Sequence, residues 1–257
     1  MKKCLLLFLV AILVVAMYGC EPAPEATETP AKALEPTATP VSQQTAAAYL
    51  PKLLASLHSL GHAGFLLYGP PAIYIDPTSL GDEPPPADVI LISHEHQDHY
   101  APAILQQIAG PQTVIVTSLT VAERLEKTDS IEGEVRALRP GEQTVVGEVQ
   151  IQGVPAYNVS KSYHPKEAGN LGFLVTWGDE WLYFAGDTDH IPEMADIQCD
   201  VALLPIGGTY TMDVEEAAQA AAEIGPRVAV PMHEKSANPQ AFRDLCDCEV
   251  VILEQGR

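Results

Sequence analysis

One short segment carries a dense set of metal-ligand chemistry. The apolar run Val89-Ile-Leu-Ile-Ser leads directly into His94-Glu-His96-Gln-Asp98-His99, which places three imidazoles and Asp98 within six residues. Imidazole is the commonest metal ligand, and alternate side chains at the exit of a strand project the same way. His94 and His96 are therefore expected to reach one ion, with Asp98 and His99 reaching a neighbouring one. Ligands that share one loop make chance placement of these groups after a core strand the poorer account. His164, Asp187 and His233 are scattered and say less singly. Alone, His164 reads as a surface-loop histidine and Asp187 as a turn residue. His62 reads equally as a donor that orients a ligand or as a satisfied core histidine. Tyr210, in Gly-Gly-Thr-Tyr, either lines a pocket mouth or packs there; His190 and His58 take the ordinary surface and structural readings.

These groups need strands to hold them. Gly64–Tyr68, Ala72–Ile75, Val89–Ile92 and Thr113–Thr117 read as strands, and Pro102–Ala109 and Val121–Lys127 as helices. From Val135 to Ala156 the apolar alternation, punctuated by Gly141, Gly147 and Gly153, predicts a run of antiparallel strands. Leu171–Thr176 and Trp181–Ala185 flank a turn and predict a hairpin. Val201–Pro205, Val228–Pro231 and Val250–Leu253 read as strands, separated by helices near Val214–Glu223 and Pro239–Leu245. Asp213 with Glu216 three residues on predicts a capping box. The mixture implies a layered α/β or α+β domain.

Composition narrows the partners. The formal net charge is -20, from 34 acidic and 14 basic residues. Nucleic acid requires clustered Lys and Arg, and none follows Lys2-Lys3, so no nucleic-acid partner is expected. Bulk charge does not govern the site, which bound divalent ions would make locally positive. Of five cysteines, Cys199, Cys246 and Cys248 are an odd set that cannot pair fully, and Cys246-Asp-Cys248 lacks the two-residue gap of a zinc knuckle. At the N-terminus, a Lys2-Lys3 n-region and an apolar run from Cys4 to Met17 have the layout of a secretory signal. Gly19-Cys20 resembles the lipobox of bacterial lipoproteins, which implies acylation of Cys20 and an extracytoplasmic protein anchored to a membrane. Residues 21–48, rich in Pro, Thr, Ala and Glu, cannot bury enough surface to offset their ordering entropy and read as a spacer. The expected division is therefore signal 1–20, linker 21–48 and a folded domain over 49–257.

The order of the ligand candidates resembles the metallo-β-lactamase superfamily. His94-x-His96-x-Asp98-His99 after a strand matches its signature, Asp76-Pro77 its upstream turn, Phe184-Ala-Gly-Asp187-Thr-Asp its aspartate segment, and Val230-Pro-Met-His233 its closing histidine. Gly61-His62-Ala63 and Leu204-Pro-Ile-Gly-Gly-Thr-Tyr210 are similar to the branch that contains the ascorbate-phosphate lactonases. The resemblance implies an αββα sandwich, two β-sheets flanked by helices. It also implies two divalent ions, zinc before manganese. His94, His96 and His164 would hold one, Asp98, His99 and His233 the other, and Asp187 would bridge them. The implied chemistry is attack by a hydroxide shared between the ions, with Asp98 orienting it, on an ester, lactone, amide or phosphodiester of a small or lipid-like substrate. A non-catalytic metal-binding or sensing lipoprotein is the alternative. A surface nuclease is disfavoured by charge and by the missing insertion after Asp187.

Overall fold

Alternation along the strands decides which layer each side chain enters. In the computed structural model, which describes residues 51–255, thirteen strands form two mixed sheets. The first runs in the order β1 (Leu57–Gly61), β2 (Gly64–Leu67), β3 (Ile73–Ile75), β4 (Val89–Ile92), β5 (Val114–Ser118) and β6 (Glu134–Leu138). Phe65, Leu67, Ile73, Ile75, Val89, Leu91, Val114 and Val116 point to a core shared with the second sheet. Their neighbours Leu66, Tyr74, Ile90, Ile92 and Ile115 point the other way, against helices α2 (Pro102–Ile108) and α3 (Leu119–Leu125). A strand covered on both faces must be apolar throughout, which is why β4 reads Val-Ile-Leu-Ile with every residue buried.

The second sheet has the order β13-β12-β11-β10-β9-β8-β7. It comprises β7 (Gln143–Val146), β8 (Val149–Pro155), β9 (Leu171–Trp177), β10 (Glu180–Phe184), β11 (Val201–Pro205), β12 (Val228–Met232) and β13 (Glu249–Val250). Strands β7 to β10 pair antiparallel and β10 to β13 parallel. Phe65 of the first sheet meets Phe184 of the second edge to face, with ring centroids 6.4 Å apart. Buried residues of α4 (Val214–Ile224) and α5 (Pro239–Leu245), among them Ala217, Ala220, Ala221 and Phe242, join the same core and complete the αββα arrangement. Among the described residues no helix is long and apolar enough to cross a membrane. The expected signal, Cys20 and the linker lie outside the described residues.

The hairpin around Trp177–Glu180 forms as the pattern predicts. Two expectations are corrected, and two elements went unread. The stretch from Val135 is not a single antiparallel run, because β6 pairs parallel with β5 in the first sheet, and only β7 and β8 pair antiparallel with each other in the second. Glycines mark where a strand stops, not which strand it joins. The strand expected over Val250–Leu253 pairs only at Glu249 and Val250, after which the chain leaves for the other sheet and bridges Ser59 through Gln255. Helix α1 (Lys52–Ser56) and β1 were not anticipated, since a register shift between Ser59 and Gly61 breaks the alternation of β1.

The capping box is present: the Asp213 carboxylate accepts from the Glu216 backbone N–H at 2.8 Å, and Glu216 accepts from that of Asp213 at 3.0 Å. Gly225, at φ 64°, ends the helix in the left-handed region. Replacing Asp213 with Ala should lower the unfolding free energy by about 1 kcal/mol in a urea titration.

Candidate metal centre

The polar groups singled out in the sequence converge where strands of both sheets end. Asp76 follows β3, Ser93 and His94 follow β4, Asp187 lies just beyond β10, and His233 follows β12. His164 comes from the β8–β9 connection and His62 from the β1–β2 turn. Carboxyl ends of parallel strands are where open α/β sheets offer a crevice. The backbone is bent to fit. Among the described residues six non-glycine positions have positive φ, and five are here: His62 (53°), Asp76 (42°), His164 (51°), His233 (51°) and Lys235 (49°). Each is uncommon for a side-chain-bearing residue, and such outliers gather at functional sites.

A buried carboxylate organises the β4 loop. Asp76 accepts from the Ser93 backbone N–H at 2.7 Å, from Ser93 Oγ at 2.5 Å and from His99 Nδ1 at 2.7 Å. Ser93 Oγ lies 2.9 Å from His94 Nδ1, and the Tyr210 carbonyl 3.1 Å from His164 Nδ1. In each of these histidines Nδ1 is committed, so the Nε2 lone pair is left to face the centre.

Two donor groups result. In the first, His94 Nε2 and His164 Nε2 each lie 3.0 Å from His96 Nδ1. The second gathers His62, Asp98, His99 and His233, with one donor atom each within 4.8 Å of the others. Asp187 stands between them. Its Oδ2 is 3.5 Å from His164 Nε2 and 3.3 Å from His233 Nε2, and its Oδ1 is 3.2 Å from His99 Nε2. His99 Nε2, Asp187 Oδ1 and both His233 ring nitrogens are nevertheless buried without a hydrogen-bond partner. Closeness without hydrogen-bond alignment is the arrangement of donors that share an ion instead of a proton. The all-nitrogen-and-oxygen donor sets suit zinc or manganese.

The charges tell the same story. Burial, aided by the charge on His99, holds the pKa of His94 well below the ordinary imidazole value, and burial lowers that of His164. Burial also opposes charge on His99 and His233, but there carboxylates win: Asp187 and Asp76 raise His99, and Asp187 with Asp98 raises His233. His233 and His62 hold Asp98 well below the usual carboxylate range. Burial would raise Asp187, yet His99 and His233 pull it down. Among the protein's own groups, the carboxylates of Asp76, Asp98 and Asp187 thus draw compensating charge towards His99 and His233. A divalent cation would take over that role and displace the protons.

All seven predicted ligand candidates are brought together. His62 joins them through a 3.1 Å contact with Asp98, the positioning alternative of its two readings. Tyr210 lines the cleft above the donors, a space of about 270 Å³ shared with Tyr163 and Lys235. His190 instead pairs with Glu223, and His58 packs against Tyr68. Cys199, Cys246 and Cys248 are free thiols packed beside the core. A roomier cavity of about 620 Å³ borders the β9–β10 turn, at the opposite end of β10 from Asp187, and holds none of these donors.

Known proteins resemble this chain in sequence and fold. The family profile described as "Beta-lactamase superfamily domain" matches residues 56–233, more than half of the chain. A UPF0173 metal-dependent hydrolase of Pyrococcus horikoshii is 34% identical over 220 residues, covering 77% of this chain and 95% of its own length. The chain belongs to the metallo-β-lactamase superfamily, in its UPF0173 metal-dependent hydrolase family. Solved relatives include a crystal structure from Parabacteroides distasonis, 30% identical with a TM-score of 0.69, covering 77% of this chain and 93% of that one. Another is Igni18, a metallo hydrolase from Ignicoccus hospitalis, 25% identical with a TM-score of 0.66, covering 78% and 95%.

Within this hydrolase Asp76 is the residue whose weight the sequence understated, where it figured only as part of a turn. One carboxylate sets both the loop backbone and the ring of His99. Its position immediately after an apolar strand, like that of Ser93-His94, was the available signal. Asp76→Asn should weaken metal affinity by roughly 10–100-fold, read by calorimetric titration of the apoprotein, with the circular dichroism spectrum unchanged.

Proposed function

We propose that the protein is a hydrolase with two divalent ions, zinc before manganese, acting on an ester, lactone, amide or phosphodiester of a small molecule. His94, His96 and His164 would hold one ion, Asp98, His99 and His233 the other, and Asp187 would join them. The observation that carries this reading is the pair of donor groups with Asp187 between them, opening onto a cleft of about 270 Å³. A space of that size favours a small substrate over a lipid-like one. Bound ions would acidify a water molecule and polarise the substrate oxygen.

The chain's own residues do the rest. Asp98 is 46% exposed, whereas Asp187 is 3% exposed, so Asp98 is the carboxylate that can meet a water or substrate in the cleft. Held well below the usual carboxylate range by His233 and His62, it stays an acceptor that would orient the attacking water. His62 positions Asp98, and Asp76 fixes His99. Asp98→Ala should fold as the parent does and lose turnover by about 10²–10⁴-fold against ester, lactone and phosphodiester panels. Undiminished turnover would remove this mechanism, and a metal-loaded parent inert throughout would leave a metal-binding or sensing protein.

The protein acts, on this reading, outside the cytoplasm, tethered through Cys20. The support is the charged and apolar N-terminal run ending at Gly19-Cys20, and the proline-rich stretch behind it. In a bacterial host, the full chain should incorporate labelled palmitate and partition with membranes. Cys20→Ala should lose the label, and equal labelling of both would exclude the anchor.

A further inference from the structure

We infer that the cleft selects a substrate carrying an anionic group, a carboxylate or a phosphate, and that Lys235 is the residue that binds it. The inference rests on the hydrolytic reading above and names the substrate class of that same site.

Lys235 stands two residues beyond the metal-ligand candidate His233, and both adopt left-handed backbone, at φ 49° and 51°. This bend brings the Lys235 ammonium to 3.6 Å from the centre of the Tyr210 ring. Tyr210 in turn meets Tyr163 edge to face, with centroids 4.6 Å apart. All three side chains line the cleft that exposes His96 and Asp98. The wall is also tied to the centre, because the Tyr210 carbonyl accepts from Asn158 Nδ2 at 2.8 Å and from His164 Nδ1 at 3.1 Å. The recognition wall and a metal-ligand candidate are therefore held at fixed spacing.

Charge makes this lysine unusual. Acidic residues outnumber basic ones by 34 to 14, and other lysines beside the site are neutralised: Lys161 contacts Asp189 and Glu216, and Lys166 contacts Glu193. Lys235, among the described residues, meets an aromatic ring and no carboxylate. A π face steers an ammonium without cancelling its charge, so the cation stays available to an incoming anion. Set at the mouth of a cleft in a strongly acidic protein, it supplies the local positive field that an anionic substrate needs. The flanking tyrosine rings offer apolar faces to the carbon skeleton between that anion and the bond to be cut.

The test compares esters with one leaving group on the metal-loaded enzyme: 4-nitrophenyl hemisuccinate, its methyl ester, and 4-nitrophenyl 3-phosphonopropionate. The parent should prefer an anionic ester over the neutral one by about tenfold in kcat/KM, mainly through KM, the size expected of one charge-assisted hydrogen bond. In Lys235→Met that preference should collapse towards one, and Lys235→Arg should restore most of it. The carboxylate and phosphonate arms identify which anion is favoured. A parent without preference, or a Met variant that keeps it, overturns the inference. If no ester is cleaved, the hydrolytic reading is what fails, and recognition is read separately by calorimetry with glutarate. Weaker binding by about fivefold or more in Lys235→Met sustains the assignment, and equal binding overturns it.

Discussion

Ring nitrogens and carboxylate oxygens crowded at the base of a cleft strain against one another unless protons or positive charge sit among them. Imidazole nitrogens of His94, His96 and His164 approach to 3.0 Å, and Asp187 is buried within reach of four histidines. Neighbouring carboxylates raise the pKa of His99 and His233, yet several buried donor atoms stay unsatisfied. A bound cation would satisfy these donors, and that need explains most of what surrounds them. It accounts for the Asp76 hub that turns rings inward, the carbonyl that fixes His164, and the rigid strands that end there.

The sandwich makes such crowding tolerable by over-determining it. β4 is buried on both faces and hydrogen-bonded on both edges, so the residue after it has little freedom to retreat. Left-handed backbone at five side-chain-bearing positions costs of order 1–3 kcal/mol each, and only a surrounding core can hold it. Close approach adds to this: a Cβ at Gly207 would lie 2.5 Å from the His233 carbonyl oxygen, so that loop can pass only as glycine. Strain and repulsion are thus concentrated in one place and carried by two large apolar layers.

Much of this was legible in the sequence, for identifiable reasons. The strand preceding His94 could be read because a doubly buried strand is apolar without interruption. The helix at Asp213 could be read because its cap is local chemistry. The seven ligand candidates were legible because four share one loop, while His164, Asp187 and His233 became meaningful only through their order. What escaped depends on distance in the chain. β6 lies beside β5 and not in a hairpin with β7, a choice made by tertiary partners that alternation cannot name. β1 was hidden by its register shift. Asp76 looked like a turn residue because its partners, Ser93 and His99, lie 17 and 23 residues away. Lys235 and Tyr163 carried no signal at all until the fold put them over the donors.

The donor groups also divide by origin. His94, His96, Asp98 and His99 leave the first sheet, while His164, Asp187 and His233 leave the second. Each group mixes the two, since His164 completes the first and His233 the second. An ion in either position would therefore be a rivet between the layers as well as a reagent. Such an ion would bind best only while the shared apolar core keeps the two sheets in register. The seam between the two sheets is thus also the place where their donors meet.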